Sequence, residues 1–233
     1  LEAASRLGTG QPFTFRRFDG GIGGALNFET VFGFNERLLR DPAFHTPGAR
    51  YAMGWDVARH NDLSALWINS LVPRKPSSLR YLIVMRGVPF GQQRTAVEHA
   101  MRTLPHAVGF GDATGLGMQA NEELQEKFKA RWTPFTFSGP GKREIGSALR
   151  TTFDDGTQAI PSMDGPYKFV ATDLYAVQKD DTGKNLVISE SPNPLLEESH
   201  CDLAYAGGLA RRAESENAIE PLPVGPKRRP IGL

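Results

Sequence analysis

The stretch Tyr51–Ile68, "YAMGWDVARHNDLSALWI", reads as an apolar run that stops on Asp56, a polar turn, and a second apolar run. A strand aimed at a core and finished by an aspartate poses a physical question, because a carboxylate buried without a partner is costly. A turn or cap, a structural cation and a metal ion would each answer it. The flanking pattern settles the local fold first. "YAMGWDV", "LSALWINSL" and "LRYLIVMRGV" are three β-type runs, punctuated by "ND" and "PRKPSS". They predict an antiparallel meander of three strands.

After the meander the period changes. "GQQRTAVEHAMRTL" places Ala96, Val97, Ala100, Met101 and Leu104 at helical spacing. "HAVGFGDATGLG" is a buried strand, an aspartate and a glycine-rich turn, followed by the charged helix "MQANEELQEKFKA" and the short strand "WTPFTF". An amphipathic helix, "KREIGSALRTTFDDG", the extended piece "AIP", a helix over "YKFVATDLYAVQ", a strand over "NLVISE" and a last helix over "ESHCDLAYAGGLARRA" complete the order. A meander followed by alternating helices and strands predicts an α/β fold. Its mixed sheet combines an antiparallel three-strand meander with parallel strands and carries helices on both faces. Residues 1–49 are rich in glycine and proline and read as an arm or linker with one short helix. Residues 50–213 read as the globular domain and 214–233 as a tail ending "PLPVGPKRRPIGL".

Bulk composition narrows the class. With 233 residues, 39% hydrophobic and 23% charged, the chain has enough apolar sequence for a real core. The net charge is +1, from 27 basic and 26 acidic residues, so any contact with a polyanion must come from a local patch. Cys201 is the only cysteine. No intrachain disulfide can form, and a reducing compartment is expected. The histidines and Cys201 show no zinc spacing. The sequence opens on Leu1, which reads as a piece of something longer.

Three aspartates hold comparable places. Asp56 ends the first strand of the meander, Asp112 ends the fourth strand in "GFGDATGLG", and Asp202 opens the last helix in "ESHCDLAYAGGLA". If the first and fourth strands are parallel neighbours, Asp56 and Asp112 meet at one rim, and the first turn of the last helix can bring Asp202 to them. Three carboxylates raise one another's pKa. Mg²⁺ or Mn²⁺, which prefer oxygen ligands, would relieve that repulsion. Two such ions roughly 3.5–4 Å apart would clamp a phosphodiester. Taken singly, each aspartate is more simply a turn or cap residue; the joint placement is what points to a metal site.

These residues resemble the ribonuclease H-like nuclease domain of phage terminase large subunits, in particular the form found in Mu-like phages and prophages. The likeness is carried by "GWDVARHNDLSAL", "GDATGLG", Lys142 and its helix in "SGPGKREIGSALRTTFDDG", the "IP" of "QAIPS", and "HCDLAYAGGLA", across about residues 50 to 212. It implies a ribonuclease H-like fold with Asp56, Asp112 and Asp202 as catalytic metal ligands. It also implies Asp62, His200 and Lys142 as accessory residues and Mg²⁺ or Mn²⁺, two ions, as cofactor. The activity would be cutting of concatemeric double-stranded viral DNA during genome packaging. Family members usually carry a motor ATPase as well, but this sequence has no phosphate-cradling G-x-x-x-x-G-K-[ST] loop. Duplex DNA would be held through its phosphates, with Arg59, His60, Lys142, Arg143 and Arg150 as candidate contacts. Portal protein and the small terminase subunit are candidate partners, and the cytoplasm of a bacterial host is the expected setting.

Other readings compete. An actin-like or sugar-kinase ATPase also follows strands with Asp- and Gly-containing phosphate loops, although it generally needs two such domains. A junction resolvase or transposase of ribonuclease H-like fold would use the same acids. A packaging or tail component with a relic site would use none. The basic "PKRRP" of the tail reads most simply as solvated, and adjacent His200 and Cys201 point apart on a helix.

Overall fold

The structure, a computed structural model, describes residues 4–6, 12–19, 48–58, 63–162, 165–175, 177–179, 186–188, 192–196 and 198–217. Eight strands among them form one sheet: β1 (Ala4–Arg6), β2 (Pro12–Asp19), β3 (Arg50–Asp56), β4 (Leu63–Leu71), β5 (Ser77–Arg86), β6 (Ala107–Asp112), β7 (Trp132–Phe135) and β8 (Gln158–Ala159). The spatial order is β1-β2-β5-β4-β3-β6-β7, with β8 beside β5. β3, β4 and β5 are the expected antiparallel meander. β6 lies parallel to β3, with Tyr51 opposite Ala107 and Trp55 opposite Gly111. β7 continues in parallel beyond β6. The mixed sheet foreseen from the change of period is therefore present, and it has the ribonuclease H-like arrangement.

Five helices accompany the sheet among the described residues: α1 (Phe90–Thr103), α2 (Met118–Phe128), α3 (Gly139–Asp154), α4 (Lys168–Leu174) and α5 (Asp202–Glu216). A two-stranded ribbon of β9 (Val177–Lys179) and β10 (Leu186–Ile188) stands apart from the sheet. No helix among the described residues is long and apolar enough to cross a membrane.

Alternation along the strands sorts the two faces. Tyr51, Met53 and Trp55 of β3 join a core with Ala96, Val97, Ala100 and Met101 of α1 and Leu124 and Phe128 of α2. The intervening Ala52 packs with Val108 and Phe110 of β6, Ile145 and Leu149 of α3, and Leu209 and Ala213 of α5. Helices thus cover both faces. The three tryptophans, Trp55, Trp67 and Trp132, are fully buried. Each indole N–H has an acceptor, namely Ser64, Asn69 and Asn121, as a buried indole requires.

Three stretches differ from the sequence expectation. The amino-terminal arm supplies sheet strands: β2 runs parallel to β5, pairing Thr14 with Tyr81 through Asp19 with Arg86. Its "PFTFRRF" alternates, so Phe13 and Phe15 pack with Tyr167 and Phe169 on the α4 side. The short helix expected within residues 1–49 is not among the described residues. "YKFVATDLYAVQ" is helical only to Leu174 and becomes strand at Val177. The last helix begins at Asp202 and continues through Glu216, past the boundary expected at 213, because Glu214 is buried against the sheet.

Candidate metal centre

The rim is built by the parallel pairing of β3 and β6. With Trp55 opposite Gly111, the next residues of the two strands are Asp56 and Asp112. Asp56 falls on the same face as Ala52 and Gly54, and Asp112 on that of Val108 and Phe110, which is the face α5 covers. Gly54 lets that helix come close. A Cβ there would stand 1.9 Å from the Ala206 carbonyl oxygen and 2.4 Å from Ala210 N. Any larger residue would push α5 off β3 and carry its first residue, Asp202, away from the rim.

The turn after β6 is equally fixed. Asn121 of α2, fully buried, donates from Nδ2 to the carbonyls of Asp112 (2.7 Å) and Gly117 (3.0 Å), and its Oδ1 accepts from Trp132 Nε1 (3.0 Å). A Cβ on Gly117 would lie 2.2 Å from the Asp112 carbonyl oxygen, so the turn closes only around glycine. Thr114 N donates to Asp112 Oδ1 at 2.8 Å. Asp202 Oδ2 accepts from His200 N at 2.9 Å across Cys201, whose φ of 74° is left-handed.

Asp56, Asp112 and Asp202 are 8%, 9% and 8% exposed. Burial pushes the Asp56 carboxyl well above the usual carboxylate range. The charges of Asp202, Asp112 and Asp173 add to that push, while Lys142 opposes it. Asp112 is also raised by burial, against the hydrogen bonds from Thr114 and the charge of Lys142. Asp56 therefore lies within electrostatic reach of both Asp202 and Asp112. Among the described residues, no group of three or more His, Cys, Asp or Glu side chains stands close enough together to hold a metal ion without some movement of the carboxylates. Carboxylates offer the all-oxygen donors that hard divalent cations take, alongside several waters. In donor type, the three aspartates match Mg²⁺ or Mn²⁺.

Lys142 stands in the first turns of α3, its Nζ 5.2 Å from the Tyr205 ring centroid on α5. "GPGKR", expected as a phosphate-facing loop, is instead the start of that helix, capped by the Ser138 side chain, which accepts from Gly141 N. Arg143 is exposed beside it. Arg150 lies about 12 Å further along α3, at 1.5 Å per residue, where it pairs with Asp154. His200 is half-buried next to Asp202. Arg59, His60 and Asp62 lie outside the described residues.

Two residues at the site escaped the sequence reading. Asn121 is polar within a buried helix stripe that also holds Ala120, Leu124 and Phe128, a break in pattern that was available as a signal. Asp173, 2% exposed, accepts four hydrogen bonds, from Asn193 Nδ2, Ser199 Oγ, Leu203 N and Ala204 N. Nothing local marks it, since its partners come from a loop and a helix far along the chain.

Comparison with solved structures agrees with the fold. The chain is similar to the large terminase nuclease from thermophilic phage G20c with bound magnesium, at 22% identity and a TM-score of 0.57, over 72% of this chain and 82% of that one. The same nuclease with bound cobalt matches at 20% identity and a TM-score of 0.55, over 72% and 82%. The large terminase nuclease domain of Thermus phage P74-26 matches at 19% identity and a TM-score of 0.53, over 71% and 80%. No family model matches the sequence, and no curated protein is significantly similar to it.

Proposed function

We propose that this chain is the nuclease domain of a phage large terminase, a metal-dependent endonuclease that cuts concatemeric double-stranded viral DNA during packaging. The observation that supports it most is the rim itself. Parallel strands β3 and β6 and the start of α5 bring Asp56, Asp112 and Asp202 close enough for each neighbour's charge to act on Asp56. The similar G20c nuclease was solved with bound magnesium and with bound cobalt, which supports a divalent ion in the same role here.

Asp56, Asp112 and Asp202 would hold Mg²⁺ or Mn²⁺. When bound as a pair, such ions supply Lewis-acid activation of water and stabilisation of the departing 3′ oxygen. The chain's own groups set up that chemistry. Asp56, its carboxyl raised chiefly by burial, is held at the end of a strand that is buried from Tyr51 onward. The Asn121 bridge fixes the backbone under Asp112. Lys142 keeps both carboxylates closer to the ionised form that a cation needs, and its ammonium, together with Arg143, would meet backbone phosphate. Arg59 and His60, three and four residues after Asp56 in the sequence, and Arg150, further along α3, are the remaining proposed DNA contacts. Asp62 and His200 are proposed as accessory groups. Portal protein, the small terminase subunit and a host-cytoplasmic setting follow from the same reading, with residues 50–213 as the core of the domain.

The deciding experiment incubates the protein with supercoiled plasmid and Mn²⁺, with and without chelator, beside Asp112→Ala. Nicking and linearisation that need Mn²⁺ and vanish in the variant are the expected result. Equal cutting by Asp112→Ala would sink the site. Preference for branched junctions over duplex would move the assignment to a resolvase.

A further inference from the structure

We infer that Asp173 is a positioning residue, which caps α5 from a neighbouring helix and so sets where the Asp202 carboxylate stands. The proposal rests on the metal reading above. α5 opens without a cap of its own: its N-cap residue is Cys201, left-handed at φ 74° and with no side-chain hydrogen bond to the helix. A helix start leaves four N–H groups without intrahelical acceptors. Asp173, near the end of α4, takes two of them on one oxygen, Leu203 N at 2.9 Å and Ala204 N at 3.1 Å. These are the two residues that follow Asp202.

The other oxygen of Asp173 is equally committed. It accepts from Ser199 Oγ at 2.8 Å and Asn193 Nδ2 at 3.0 Å. Ser199 is fully buried and Asn193 is 3% exposed. Asn193 Nδ2 also donates to the Phe169 carbonyl at 2.9 Å, tying the loop before α5 back to α4. An ionised carboxylate has about four lone-pair sites, and all four are used. That saturation separates Asp173 from the rim acids. Its charge is felt by Asp56, yet its oxygens are spent on holding backbone and loop. A neutral Ser or Thr cap would add no repulsion at the rim, but it could not accept four donors. The carboxylate is the side chain that pins the helix start and the preceding loop together, and Asp202 and His200 sit between those two anchored segments. Groups that orient metal ligands typically contribute about 10- to 100-fold to metal affinity.

The test uses the full chain with Asp173→Asn, and Ser199→Ala as a milder second variant. Backbone amide exchange by NMR reads Leu203, Ala204 and His200, the last reporting Asp202 through its hydrogen bond. Mn²⁺ affinity is measured in parallel by calorimetry. In Asp173→Asn all three amides are expected to exchange faster, and Mn²⁺ affinity to fall about 10- to 100-fold, with cutting recovered at high Mn²⁺. Ser199→Ala shifts the same readings less, and carries the test if Asp173→Asn fails to fold. Faster exchange at Leu203 and Ala204 with unchanged His200 protection and unchanged Mn²⁺ affinity overturns the positioning role, leaving a cap alone. Lost Mn²⁺ binding with all amides still protected also overturns it, because Asp173 would then be a ligand. Should the wild type take up no Mn²⁺, the metal reading fails separately, and the His200 amide still decides whether Asp173 places Asp202.

Discussion

The two ends of α5 each carry a buried acid, and they are solved in opposite ways. At the carboxyl-terminal end Glu214, 2% exposed, accepts from Asn69 Nδ2 at 2.6 Å and Ser77 Oγ at 2.8 Å and pairs with Arg211. Asn69 is itself held by Gln158 and Trp67. At the amino-terminal end, about 18 Å away at 1.5 Å per residue, the charge of Asp202 acts on Asp56. There the neighbours of Asp56 are chiefly other acids, with Lys142 the opposing charge. Burial raises the proton affinity of Glu214 as it does that of Asp56, but at Glu214 every neighbour works against the rise. One end is a closed polar network that fixes the helix. The other stores repulsion that a cation can release. The acids at the two ends differ chiefly in their neighbours, since both ends are buried from water.

Breaking the rim gives the largest expected effect. Asp56→Asn should lower the rate of plasmid cutting by at least about 10²–10³-fold, the scale for deleting one electrostatic contact to a transition state. The same variant should melt at a higher temperature than wild type in divalent-free buffer at pH 7.5, because it removes a charge repelled by Asp202, Asp112 and Asp173. A scanning calorimetry trace with a lower Tm would refute the stored-repulsion account even if cutting is lost.

Breaking the opposite end should do the reverse. Glu214→Ala leaves Asn69 and Ser77 without their acceptor and Arg211 without its counter-ion. The cost is about 3 kcal/mol, or roughly 6–12 °C in Tm for a chain of this size. Urea unfolding checks it, and turnover per folded molecule should stay near wild type. A loss of turnover in the folded fraction would show that the two ends are coupled along α5.

The difference between the ends also explains what the sequence disclosed. The meander and the strand after it were legible because β3 through β6 are fully or nearly fully buried runs, and hydrophobic periodicity records burial directly. Asp56 and Asp112 stood out because each interrupts such a run at its end. Asp202 was legible only as a helix start near two other placed acids. Glu214, by contrast, falls in the stretch that reads as a tail. Glutamate followed by Ser215 and Glu216 looks like a solvated helix end, and its partners on β4 and β5 lie far away in sequence. Asp173 was hidden for the same reason: it sits in an amphipathic run, and the backbone amides it serves leave no trace in residue identity. β2 was obscured by glycine-rich neighbours, although "PFTFRRF" carries the alternation that seats Phe13 and Phe15. Single-element features were readable; features defined by a non-local partner were not.

Lys142 sharpens the comparison from the rim side. Its charge holds the Asp56 and Asp112 proton affinities down, so Lys142→Met should raise both. If ionised carboxylates are needed for cutting, the acid limb of the pH–rate profile should move to higher pH. An unmoved limb with weaker plasmid binding would instead make Lys142 a phosphate contact alone.

The smallest expected effect concerns stability against pH. Asp56 has a folded-state pKa raised above its unfolded value of about 3.9. Over that window the folded state binds more protons than the unfolded chain, so this group favours folding at low pH. Its contribution is lost as pH rises from the unfolded to the folded value. Glu214 carries the same sign. Only at the rim, however, can a divalent cation take the place of the proton. Mg²⁺ at about ten times its dissociation constant should add about 1.4 kcal/mol, or roughly 3–6 °C, at pH 8, and much less at pH 5, where protons compete for the same oxygens. Glu214→Gln should leave that Mg²⁺-dependent gain intact, whereas Asp56→Asn should remove most of it. A gain of equal size at both pH values, or one that survives Asp56→Asn, would place the ion elsewhere on the molecule.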